Sequence, residues 1–220
     1  MSATLMAWCL GLQAQNLEAV TARMDASAAS FKAMTADIRQ TSFTAVLNES
    51  NVSSGTITLE KTRPKELRML VEFSSPDPKS VFYENRKLQI YYPKIQTVQE
   101  YDLGKQASLV DQFLLLGFGS RGSDLKASYE LKYLGDEQIN GEKTQRLELT
   151  PKSQEALQHV KKLELWIAES TGQPIQQKVF QPSRDYILIA YSNMKVNPAL
   201  APDAVKLKTP KGVKKEYPQK

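Results

Sequence analysis

The chain has 220 residues, 41% of them hydrophobic, with 29 Lys and Arg against 24 Asp and Glu and a formal net charge of +5. That apolar share with a mean hydropathy of −0.43 describes a soluble globular protein long enough to bury a substantial core. One cysteine, Cys9, excludes an internal disulfide and a thiolate metal cluster. The charge excludes a basic nucleic-acid face, because Lys206, Lys208, Lys211, Lys214, Lys215 and Lys220 against Glu216 put the whole excess in the last fifteen residues.

The first element is "LMAWCLGLQAQ", a short apolar run closing on the small residue Ala14. It reads as the core and cleavage region of a secretory signal peptide covering residues 1–15, cut near Ala14. A membrane anchor needs roughly 20 apolar residues, and this run has about ten. No Lys or Arg precedes it, which counts against export and leaves an ordinary N-terminal helix as the alternative, and bulky Trp8 before Cys9 argues against a lipidated cysteine. The expected mature chain, residues 16–220, is a single domain without cysteine and with a basic tail.

Leu17, Val20, Met24, Ala28, Phe31 and Met34 fall at helical spacing, which predicts an amphipathic helix over 17–34. The period then changes to two. "SGTITLEK" alternates Ile57 and Leu59 with threonines, "ELRMLVEF" puts Leu67, Met69, Val71 and Phe73 on one side, and "KLQIYYP" does the same with Leu88, Ile90 and Tyr92. Similar runs follow at "TVQEYDL", "ASYELKYL", "KTQRLELTP", "KKLELWIAE", "PIQQKVFQP" and "DYILIAYSNM". Turn residues separate them at "SSPDP", "NRK", "GDEQING", "STGQP" and "PSRD". About ten strands so evenly spaced exclude a βαβ protein and predict one large antiparallel sheet, mainly β within the α+β class.

The concave face of such a sheet must be covered. Besides the first helix, a second helical run is expected around Ala107–Gly117, within "LVDQFLLLGFG", and a third short piece at "SQEALQHV". Leu109, Val110, Phe113, Leu114 and Leu116 make the second run apolar nearly all round. Two readings stand: a core helix plugging the sheet, or a lid over an apolar cavity, hinged on Gly104, Gly117, Gly119 and Gly122.

No catalytic constellation emerges. His159 is the only histidine and reads as a surface residue near a helix end. "GFGSRG" follows a helix and lacks the Lys-Ser/Thr pair of a phosphate loop. The carboxylates of "LEKTR", "KELR" and "KLELW" stand beside Lys or Arg and read as exposed strand faces. Neither a metal site nor a cofactor is expected, and the chain reads as a binding protein without enzymatic activity.

Taken in order, "MDASAASFKAMTADIRQT", "GTITLEKTRPKELRMLVEF", "ENRKLQIYYPKIQTVQEYDL", "LTPK" at 149–152 and "TPKGV" at 209–213 resemble the LolA family, the periplasmic carriers of outer-membrane lipoproteins. The resemblance covers residues 17–213. It implies an incomplete, open β-barrel closed by helices, which shields the acyl chains of lipoproteins, or another lipid, in the periplasm. It also implies an inner-membrane loading complex and an outer-membrane acceptor as partners. A monomer is expected.

The groove would be lined by Ile57, Leu59, Leu67, Met69, Val71, Leu88 and Ile90, beneath a lid of Leu109, Val110, Phe113, Leu114 and Leu116. Arg63 matches the family arginine that hydrogen-bonds the lid, although Thr62 separates Lys61 from Arg63 where the family runs two basic residues into the proline. The alternatives are an envelope-stress sensor on the same half-barrel, or a transporter of a different lipid.

Overall fold

The computed structural model describes residues 3–63, 66–104 and 116–218, and of residues 3–14 and Arg63 the backbone alone. Helix α1 (Ala3–Ser30) leads into β1 (Ala33–Thr44), β2 (Glu49–Arg63), β3 (Glu66–Ser75), β4 (Lys79–Glu84), β5 (Lys87–Tyr92), a 3-10 turn (Pro93–Ile95) and β6 (Thr97–Asp102). Then come α2 (Gly122–Ser128), β7 (Tyr129–Ile139), β8 (Glu142–Pro151), α3 (Gln154–Leu157), β9 (Lys162–Ala168), β10 (Pro174–Phe180), β11 (Tyr186–Val196) and β12 (Lys214–Glu216). The strands form one sheet in the order β12-β6-β5-β4-β3-β2-β1-β11-β10-β9-β8-β7, open at both edges. The protein is mainly β with an N-terminal helix, as the strand periodicity predicts.

Three strands escape the pattern. Strand β1 lies partly within the stretch read as helix, β4 is only six residues between two turns, and β12 is the polar tripeptide Lys214–Glu216. The helix predicted over 17–34 ends at Ser30. Phe31 and Met34 are buried as the helical spacing requires, at 3% and 0% exposure, but outside the helix. Asn197 explains the break: its Oδ1 accepts from the backbone N–H of Lys32 at 2.7 Å and of Ala33 at 3.2 Å, and its own N–H donates to Ala33 O. A residue far along the chain thus takes the polar groups that another helical turn would have used.

Turn chemistry sets two hairpins. Asn85 and Arg86 join β4 to β5, and Asn140 and Gly141 join β7 to β8, all four at positive φ, the geometry of two-residue hairpins. The turn expected over 135–141 is therefore only its last two residues. Gly135 lies inside β7 at a register shift between Tyr133 and Gly135, a β-bulge.

By contacts the chain forms two compact units, residues 1–30, 42–50 and 116–189, and residues 31–41, 51–115 and 190–220. In the first, Val20, Met24 and Ala28 form one buried helical stripe of α1, which lies against α2 and β7. Asp25 Oδ1 accepts from the Gly122 N–H at 2.5 Å, satisfying a free donor at the start of α2. A Cβ on Gly122 would stand 2.6 Å from Thr21 Cβ, so only glycine allows this approach. Gly172, in the β9–β10 turn, meets the backbone of Arg23 equally closely. Helix α3 starts as predicted, with Ser153 Oγ accepting from Ala156 N. His159 is exposed just beyond it.

Strands β8 and β9 carry the core of this unit: Leu147 pairs with Leu165 and Leu149 with Leu163, all at 0% exposure. Their other face corrects one expectation. Glu164, in "KLELW", is 2% exposed rather than on a solvated face. Arg146 bridges Glu137 and Glu164 at 2.7 Å each, and Lys162 bridges Glu148 and Glu164 at 2.7 and 2.9 Å. The Arg146 guanidinium lies 4.8 Å from the centre of the Trp166 ring, and Trp166 Nε1 donates to Glu137 Oε2 at 2.6 Å. Burial pushes the Glu164 pKa up, but the bonds from Lys162 and Arg146 outweigh it and hold the carboxyl below its usual range. Glu60 of "LEKTR", in the second unit, is half-buried and paired with Arg68.

An apolar sheet face as candidate functional site

Register decides which side chains of the second unit share a face. Ile57 pairs with Val71, Val71 with Val81, Val81 with Ile90 and Ile90 with Gln99. The neighbouring row runs Leu59, Met69, Tyr83, Leu88, Tyr101. Leu67 pairs with Lys61, two residues beyond Met69 and Leu59 respectively. Directly paired residues, and residues two apart, project to the same side of a sheet. The seven residues predicted to line a groove therefore lie on one face. Ile57, Leu59, Leu67, Met69 and Val71 are buried, while Leu88 and Ile90 are half-buried.

The opposite face carries charged side chains of these strands. Arg68 pairs with Glu60 and lies 3.9 Å from Glu84. Gln89 Nε2 donates to Glu100 Oε2 at 2.7 Å, and Lys87 lies 3.6 Å from the same carboxylate. Leu70, Tyr91 and Val98 are buried apolar exceptions on this side. The register thus gathers apolar side chains of β2–β5 on one side of the sheet and the ion pairs on the other.

Val81 and Tyr83 extend that surface beyond the residues read from sequence, Tyr83 at 1% exposure. The alternation in "VFYE" is the signal that could have found them. Gly55 and Phe73 form the next pair beyond Ile57 and Val71. Around them opens a depression of about 550 Å³ lined by Ile38, Arg39, Thr56, Glu72 and Ser192 among others. A Cβ on Gly55 would lie 2.1 Å from the Glu72 carbonyl oxygen, so this position admits no side chain while the two strands keep their approach.

Of the predicted lid, Leu109, Val110, Phe113 and Leu114 lie outside the described residues. Leu116 is fully buried in the first unit, in a turn with Gly117. Gly117 has φ +87° and a Cβ there would stand 2.7 Å from Pro174 Cγ. Gly119 also has positive φ, and Gly122 is a packing glycine against Thr21. Arg63 ends β2, paired with Glu66 across a register shift, and its side chain lies outside the described residues.

Among solved structures, the chain is similar to an uncharacterized conserved protein from Thermus thermophilus, with TM-score 0.55 and 12% identity over 93% of this chain and 98% of that one. It is also similar to LprF from Mycobacterium bovis, with TM-score 0.51 and 10% identity over 88% and 99%. The MucA/MucB complex structure from Pseudomonas aeruginosa gives TM-score 0.50 and 14% identity over 88% of this chain, which spans 61% of the matched chain. These identities speak for the fold alone. A comparison with curated proteins gave no match. Residues 29–208 match the family described as "Outer membrane lipoprotein carrier protein LolA". Because that match takes in nearly all of the sheet, from the end of α1 through β11, the chain belongs to the LolA family of outer membrane lipoprotein carrier proteins.

Proposed function

We propose that the protein is a periplasmic carrier without enzymatic activity. It binds the acyl chains of a lipoprotein, or of another lipid, on the apolar face of β2–β5 and escorts them from the inner to the outer membrane. The observation that carries this reading is the shared face of Ile57, Leu59, Leu67, Met69, Val71, Leu88 and Ile90, backed by ion pairs on the other side. An acyl chain of about sixteen carbons costs about 13 kcal/mol to leave in water, at roughly 0.8 kcal/mol per methylene. A water-soluble escort needs a broad apolar surface of this kind. The apolar segment of Leu109, Val110, Phe113 and Leu114 acts in this reading as a lid competing with cargo for that surface, with Arg63 helping to hold it closed.

The test is native mass spectrometry and lipid extraction of protein purified from the periplasm of its source, together with uptake of a fluorescent acyl probe. Bound acyl lipid in defined stoichiometry is expected. Ile90→Glu, at a half-buried position, is expected to abolish uptake, while Glu100→Gln on the opposite face leaves it intact. Absence of acyl lipid together with no probe uptake would overturn the carrier reading.

The likeness to MucB, solved with MucA, favours a second reading in which the same fold receives a protein partner and reports envelope stress. Capture of a membrane-protein segment that displaces no acyl probe would support it.

A further inference from the structure

The net positive charge of the chain lies in its last fifteen residues, and the fold pins part of that segment in place. Strand β12 pairs in parallel with β6, setting Lys214 beside Thr97 and Lys215 beside Val98. The Lys214 N–H also donates to Gln96 O at 3.0 Å. Gln96 closes the Pro93–Ile95 turn from the left-handed region, at φ 49°. The tip of that turn holds Ile95 at 65% exposure, and Tyr217, just past β12, is 43% exposed.

Ile95 and Tyr217 flank the two ends of the β6–β12 pairing, and lysines lie along the same edge: Lys94 next to Ile95, and Lys214 and Lys215 within the pairing. Lys94 and Lys214 have acidic neighbours, Asp77 at 2.6 Å and Glu216 at 2.7 Å. Lys211 and Lys215 are exposed and make no ion pair among the described residues, so they give the patch its net charge.

We infer that this edge of the second unit is a docking patch for an anionic lipid bilayer. An exposed aliphatic side chain on a turn, an exposed tyrosine and lysines along the same edge are the chemistry of the membrane interface. A protein partner would instead call for a wide surface with pockets for anchoring side chains; here the apolar group is one exposed side chain on a three-residue turn. The lysines supply long-range attraction to lipid phosphates, and Ile95 supplies a shallow insertion that is readily reversed. The inference goes beyond the carrier reading and does not depend on what occupies the apolar sheet face.

Vesicle flotation of the full-length protein tests it, using phosphatidylglycerol-containing vesicles against pure phosphatidylcholine vesicles. Binding is expected to the first and not the second, and to disappear in about 1 M salt, where the screening length falls to about 3 Å. Lys211→Gln and Lys215→Gln should each weaken binding about fivefold, and Ile95→Ser on the order of tenfold. All three sites are exposed, so melting temperature and acyl-probe uptake should stay at the wild-type level. Failure to bind phosphatidylglycerol vesicles, equal binding to both vesicle types, or binding indifferent to all three substitutions would overturn the proposal. So would capture of an acidic protein through these lysines without vesicle binding. Loss of probe uptake in the wild type would count against the carrier reading and leave the patch standing.

Discussion

Replacing Arg146 by Met keeps most of the side-chain stem and removes the charge that holds two carboxylates. Glu164, with its side chain 3% exposed, would keep only Lys162, which it shares with Glu148. A hydrogen bond to a buried charge is worth about 1.5–3 kcal/mol. The Glu137 contact, a third exposed, adds less than about 1 kcal/mol, and the guanidinium over Trp166 adds about 0.5–1 kcal/mol. Arg146 Nε is buried without a hydrogen-bond partner among the described residues, which sets the sum toward the lower end, about 3 kcal/mol. That agrees with the roughly 3–5 kcal/mol lost when one partner leaves a buried ion pair. For a chain of this length it corresponds to a fall in Tm of about 6–12 °C. Urea and thermal unfolding of Arg146→Met, Glu164→Gln and the double variant would measure it. The double variant should cost less than the sum of the singles, because it no longer buries an under-compensated charge. A loss below about 1 kcal/mol, or strict additivity, would show that the network is solvated and that the burial argument fails.

Other outcomes follow from the same geometry. Gly55→Ala forces a methyl toward the Glu72 carbonyl and should destabilise by about 3 kcal/mol, read by urea unfolding and by faster amide exchange in β2 and β3. Gly117→Ala combines positive φ with contact to Pro174. It should cost about 2–4 kcal/mol, and a stability like wild type would mean that this turn is free to move. Asn197→Ala removes an acceptor from two backbone N–H groups and should cost about 1–2 kcal/mol, with exchange at Lys32 and Ala33 as the local readout. Acid should weaken the fold through Glu137 and Glu164. Trp166 and Arg146 lower the first; the second is raised by burial and lowered further by Lys162 and Arg146. Folded pKa values below the usual 4.5 mean that this stabilisation is complete above that pH and is lost as pH falls through the lowered values. A urea midpoint that stays flat from pH 6 to about pH 3 would contradict it.

Alternation alone determined that Ile57, Leu59, Leu67, Met69, Val71, Leu88 and Ile90 fall into same-side sets within their strands, because a strand's side chains have a period of two. Turn residues determined where the hairpins close: Asn140-Gly141 does so through backbone conformations that few other pairs adopt without strain. Joining the sets into one face took the register, which depends on which strand lies beside which. Local pattern could not place β1 either, since Met34 fits a helix and a strand equally well and the choice is made by Asn197, more than 160 positions away. The burial of Glu164 was hidden for a related reason. A glutamate between leucines in "KLELW" looks solvated until the neighbouring strand β8 brings Arg146 onto its carboxylate, beside Lys162 of its own strand. Strand β12 is the extreme case: three polar residues with no strand signal of their own become one only because β6 offers an open edge of backbone donors and acceptors. What the sequence determined rests on interactions within a few residues. What the tertiary structure decided rests on backbone groups and charges that find their partners only once distant segments have met.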